Sequence, residues 1–218
     1  MRDATELIIE RLVADAQPVR RLRPPSLRAA LWLLAVAAVA AAAILLFADL
    51  AIVAARLHDP KLVVEMIATL LTGIAAVVAA FHLSLPDRSP AWAALPLPFL
   101  AAWIASSGYA CYRHWISFGA GGWELGDSAH CLRFILAISL PLGISLLLLL
   151  RRAAPLTPVR VAAIGGLGVA AIAAFVLQFF HPFDVTVMDL AVHLGAVALV
   201  VAVASLTERA AQRRSNAA

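Results

Sequence analysis

Two thiols and a group of imidazoles are the side chains in this sequence best suited to chemistry. Cys111 and Cys131 are its two cysteines, and His114 and His130 stand close to them in the chain. Thiolate and imidazole together suit zinc, cadmium or copper(I). Two thiols in an oxidising compartment can instead form a disulfide. Spacing settles neither, because there is no CxxC and no HExxH. Cys111 and His114 lie three apart and can share a helical face, which is slight support for a joint site. Three readings of the cysteines stay open: a redox pair, plain packing of small apolar residues, and a metal site that His114, His130 and His181 would complete. Each histidine is read first as an interfacial polar residue and only second as a ligand. No resident cofactor is expected, only a transient metal ion at the cysteine pair.

These residues must be positioned by helices in lipid. The chain has 218 residues, 63% of them hydrophobic and 14% charged, with a formal charge of +4. An ordinary soluble domain is far more polar, so a soluble globular fold and disorder are both excluded. Six apolar runs, 29–50, 62–82, 91–111, 131–150, 159–180 and 187–206, each suit one crossing of a bilayer. The predicted fold is all-α: a bundle of six transmembrane helices at 29–206, preceded by a cytoplasmic arm at 1–28 and followed by a cytoplasmic tail at 207–218. The charged first residues lack the apolar core of a cleavable signal, so the first span is expected to serve as its own insertion signal. Within the arm, Asp3 to Ala16 reads as a short amphipathic helix, stopped by Pro18 and tethered by Arg20, Arg21 and Arg23.

Orientation follows from arginine and lysine. Thirteen basic residues fall with the two termini and the loops on their side, and four on the other. The positive-inside rule puts both termini in the cytoplasm of a multi-pass membrane protein; if the membrane is a bacterial inner one, its far face is oxidising. Cys111 then ends the third span and Cys131 begins the fourth, at the same outer face, joined by a loop from Tyr112 to His130. Trp115 and Trp123 fit an outer aromatic belt, and Trp32 and Trp92 an inner one.

Glu65, Arg133, Asp189 and His193 are ionisable groups in or beside the spans, all in the outer half. Glu65 and Arg133 are expected to pair. A transport path needs polar groups through the midplane, which is nearly bare apart from Gln178, itself toward the outer end. No nucleophile–base set emerges, so no enzyme is expected. A small transporter or metal exporter is the first alternative, and a membrane thiol oxidoreductase the second. On the arm, Leu7, Ile8 and Leu12 form an apolar stripe beside the acids Glu6 and Glu10. Acidic helices are repelled by anionic headgroups, so a protein partner with a basic surface is favoured over the lipid surface. No direct contact with nucleic acid is expected, and the oligomeric state is left open.

Several stretches together resemble the NrsF family of membrane-embedded anti-sigma factors, negative regulators of an extracytoplasmic-function sigma factor. They are Pro18-Val19-Arg20-Arg21-Leu22-Arg23-Pro24-Pro25, His82-Leu83-Ser84-Leu85-Pro86-Asp87-Arg88-Ser89, Gly108-Tyr109-Ala110-Cys111, Arg113-His114-Trp115 and Cys131-Leu132-Arg133-Phe134-Ile135. Ser139-Leu140-Pro141-Leu142-Gly143, His181-Pro182 with Asp184, and His193-Leu194-Gly195 complete the set. Tyr112 departs from the pattern, at a position associated with tryptophan. The resemblance implies an N-terminal arm that holds the sigma factor. It also implies that Cys111 and Cys131 are needed for the response to metal or oxidative stress.

Overall fold

The computed structural model describes residues 4–14, 21–118, 125–180 and 187–215. Among these the chain is all-helical: α1 (Ala4–Ala14), α2 (Pro25–Phe47), α3 (Leu50–Arg56), α4 (Pro60–Leu83), a 3-10 turn (Pro90–Ala94), α5 (Leu97–Phe118), α6 (Leu125–Arg151), α7 (Pro158–Leu177) and α8 (Val187–Ser215). Six helical stretches are long and apolar enough to cross a bilayer.

Local chemistry sets several boundaries differently from the apolar runs. The first run breaks at Ala48, which is extended, and Asp49 then caps α3 by accepting hydrogen bonds from the Ala51 and Ile52 amides at 3.0 and 3.2 Å. Asp59 caps α4 in the same way, from the Lys61 amide at 3.0 Å, with Pro60 in the first turn. The third run opens as a 3-10 turn because Pro90, Pro96 and Pro98 withhold the amide donors of a regular start. Helix α5 continues past Cys111 to Phe118, and α6 begins before Cys131. Of the expected loop from Tyr112 to His130, residues 112–118 and 125–130 are therefore helical, and positions 114 and 130 belong to helices. The tail is not a separate segment either, since α8 runs unbroken to Ser215.

Helices α4 and α7 form the buried centre. Gly73 and Gly168 make that packing possible. A Cβ on Gly168 would stand 2.8 Å from Val77 Cγ2 and 3.0 Å from the Val77 nitrogen; one on Gly73 would stand 2.7 Å from Ile172 Cγ1. Each glycine also faces the other's carbonyl oxygen, so backbone meets backbone with no side chain between. Thr69 and Thr72 are buried in α4, but each hydroxyl donates back within the helix, to the Glu65 and Ala68 carbonyls at 2.7 Å. They therefore satisfy themselves and line no path.

Helix α2 packs differently. Most of its surface is exposed, and only Pro25, Ala29 and Trp32 are buried. Arg28 donates to the Leu149 carbonyl of α6 and lies over the Phe81 ring, 5.1 Å from its centroid. Trp32 Nε1 donates to Ser145 Oγ at 3.1 Å. Trp32 is thus a core residue and not the belt anchor expected of it. Trp92 likewise stacks on His82, with centroids 3.9 Å apart. Arg151 and Glu208 form an ion pair at 2.6 Å that joins α6 to α8, with the Glu208 side chain almost wholly buried. Arg160 donates to the Pro90 carbonyl at 3.2 Å, so Arg28, Arg151 and Arg160 mark one end of the bundle, called here the basic end. Cys111 and Glu65 lie toward the opposite, cysteine end.

Candidate functional site

At the cysteine end, four elements converge on a buried carboxylate. Glu65, on the first turns of α4, is 8% exposed. Ser107 of α5 donates its hydroxyl to Glu65 Oε1 at 2.7 Å. His193 of α8 and Arg56 of α3 lie within electrostatic reach of the same carboxylate. Arg56 also donates to the Gln178 carbonyl at 3.1 Å, which ties α3 to the end of α7. A buried carboxylate needs such partners, since bare charge is costly away from water. The expected Glu65–Arg133 pair is therefore replaced: Arg133 is exposed on α6, and the groups around Glu65 come from α3, α5 and α8. Gln178 caps the end of α7.

Cys111 is buried, 4% exposed, one helical turn beyond Ser107 on the same face of α5. The side chains of Cys131, His114, His130, Asp189 and His181 lie outside the described residues. The cysteine pairing and the histidine ligand set therefore stand as expectations. Among the described residues, no three His, Cys, Asp or Glu side chains gather as a metal would require.

Ser107 gave no signal in the sequence, being one of two adjacent serines in an apolar run. Its role is testable. Ser107→Ala leaves Glu65 Oε1 without this donor, and the expected cost is about 1–3 kcal/mol. Thermal unfolding in detergent, with Ser106→Ala as control, measures it. Ser106 donates only to its own helix, at the Trp103 carbonyl, so its loss should be nearly silent.

The second candidate element is α1. Its apolar residues are all exposed: Leu7 49%, Ile8 59%, Ile9 53%, Leu12 68% and Val13 69%. At 3.6 residues per turn, Ile8, Ile9, Leu12 and Val13 fall within an arc of about 140°. Leu7 falls outside it, between Glu10 and Arg11. The helix thus has one continuous apolar face, bordered by exposed Glu6 and Glu10.

One comparison bears on identity. The family described as negative regulator of sigma F, NrsF, matches residues 12–213. The chain belongs to the NrsF family. No curated protein and no solved structure matches it. The NrsF match takes in every helix that could cross a bilayer and both cysteines, but of α1 it reaches only Leu12 onward. As the family description has it, this is a negative regulator of a sigma factor.

Proposed function

We propose that this NrsF-family chain is a membrane-embedded anti-sigma factor. Its arm holds an extracytoplasmic-function sigma factor at the inner face of a bacterial inner membrane, both termini being cytoplasmic. The observation that carries the reading is the exposed apolar face of α1, attached to a bundle of membrane-spanning length. Such a face suits a helix laid in a partner's groove. Ile8, Ile9, Leu12 and Val13 supply the apolar contact, with Leu7 at its flank. Glu6 and Glu10 face basic residues of the partner. The partner is held by binding alone, with no turnover, no cofactor and no contact between this chain and nucleic acid.

Release begins at Cys111 and Cys131. Oxidation forms one S–S bond, and the two thiols lose two protons and two electrons to an oxidant such as a peroxide, whose O–O bond breaks to give two waters from hydrogen peroxide or one alcohol and one water from an alkyl hydroperoxide. A soft metal bridging the thiolates would draw the same two helices together. Either event acts on α5 and α6 beside the Glu65–Ser107 bond, where a change of packing reaches α3, α4 and α8 at once.

The test is co-purification from solubilised membranes. The full chain should bring a sigma factor with it, and a chain lacking residues 1–20 should not. Cys111→Ser with Cys131→Ser should leave binding intact and abolish induction of the sigma-dependent genes. A chain without its arm that still retains the sigma factor, or a double serine variant that still induces, would each overturn its half of the reading.

A further inference from the structure

We propose that Arg28 and Trp32 clamp the first turns of α2 to α6, and that this clamp is the joint through which α6 governs the arm. The inference rests on the reading of α1 as the binding element, because what the clamp moves is the root of that arm.

The two bonds form a ladder. Arg28 and Trp32 are one turn apart on α2, and their acceptors, Leu149 O and Ser145 Oγ, are one turn apart on α6 in the reverse order. Two rungs at matching intervals fix both the spacing and the axial register of the helices. The direction of the second rung is set as well. Ser145 gives its own hydrogen to the Leu142 carbonyl at 2.8 Å, so its oxygen is left to accept from the indole.

The clamp has little competition. Of the 23 residues of α2, only Pro25, Ala29 and Trp32 are buried. Trp32 is a rung itself and Pro25 and Ala29 lie beside Arg28, so the root of the helix is held while the rest faces outward. The root is also held from a second side, since the Arg28 guanidinium is seated on Phe81 of α4. Residues 15–24 join α1 to Pro25, and of these 21–24 are described.

Helix α6 is suited to pass on a movement. Pro141 lies inside it, one turn from Ser145 on the Cys131 side. A proline there supplies no amide to the Ala137 carbonyl and leaves the helix an articulation. Buried Ser139, in the same turn, has an Oγ with no partner, so its hydroxyl does not fasten this stretch. Cys131 is on one side of the articulation and both rungs are on the other. A tilt of α6 imposed at Cys131 therefore changes the rung geometry, and the rungs hold the start of α2.

Hydrogen exchange on the full chain in lipid nanodiscs tests this, read at a peptide covering residues 25–34. Ser145→Ala and Trp32→Phe each delete the same rung, and each should speed exchange there about fivefold under reducing conditions. Combining them should add little beyond the larger single effect, because they share one bond. Diamide, which takes the protons and electrons of paired thiols, should produce a similar rise in the unsubstituted protein and none in the double serine variant. Unchanged exchange in Ser145→Ala would overturn the clamp. A rise in Trp32→Phe alone would do the same, since it would report lost packing and not a lost bond. No response to diamide would overturn the transmission. None of these readouts involves the sigma factor. Retention of that partner by a chain lacking residues 1–20 would sink the arm reading and leave the exchange result to stand or fall by itself.

Discussion

Replacing Ile9 and Leu12 together by aspartate should weaken capture of the sigma factor by about a thousandfold. Two apolar anchors at the centre of a helix-in-groove contact are commonly worth about 2 kcal/mol each, and each factor of ten corresponds to about 1.4 kcal/mol. The control is Leu7→Asp. It lowers helix propensity just as Leu12→Asp does, yet it sits between Glu10 and Arg11, outside the face. It should cost less than a tenth of the effect, measured as binding to the full chain in nanodiscs. Equal losses from Leu7→Asp and Leu12→Asp would mean that the partner does not read the face the helix presents. Both side chains are solvent-exposed, so neither change should affect the bundle's unfolding temperature, and loss of capture could not be ascribed to loss of fold.

The second large effect belongs to the bundle itself. Gly168→Val should destabilise it by about 1–3 kcal/mol, and more if α4 cannot withdraw. The new Cβ would lie 3.0 Å from the Val77 backbone nitrogen, an atom that no rotamer change can move. Gly143→Ala is the informative partner. Nothing lies within 4 Å of a Cβ placed on Gly143 of α6. Removing a glycine from a helix there should be neutral or stabilising by about 0.5–1 kcal/mol. Thermal scanning of the two variants in one detergent gives the comparison directly. A tolerated Gly168→Val would show that α4 and α7 do not depend on backbone approach.

The difference between these glycines was not legible in the sequence. Both lie in apolar runs, and only the facing helix distinguishes them. The spans themselves were legible, because lipid imposes a length and a composition on every crossing. Their ends were less so. Apolarity carries no record of Asp49 as a cap or of three prolines near the start of α5, and Tyr112–Phe118 reads as a polar loop although it continues a helix. The polar contacts were the least legible. Glu65 stood out as a charge in an apolar run, and Arg133 was the nearest formal countercharge by topology. The structure supplies a serine hydroxyl instead, from a residue with no marking of its own. Trp32 and Trp92 show the same limit. Tryptophan near a span end suits the headgroup region, and whether its ring turns outward or inward depends on a neighbour, here Ser145 or His82. On α1, helical geometry widened the apolar stripe by Ile9 and Val13 and moved Leu7 to its flank.

The continuity of α8 has a further consequence. Its 29 residues make a rod of roughly 43 Å, whereas the oily interior of a bilayer is about 30 Å thick. Some two turns must therefore stand clear of the lipid. The Arg151–Glu208 bond, its carboxylate buried and its guanidinium half exposed, ties that end of the rod to α6. The exposed stub, ending in Arg213 and Arg214, rises on the same side as the root of the arm. It occupies room that a captured protein would otherwise fill. On the proposed reading of α1, the partner docks beside a short basic post, so its choice is a matter of clearance as well as of affinity.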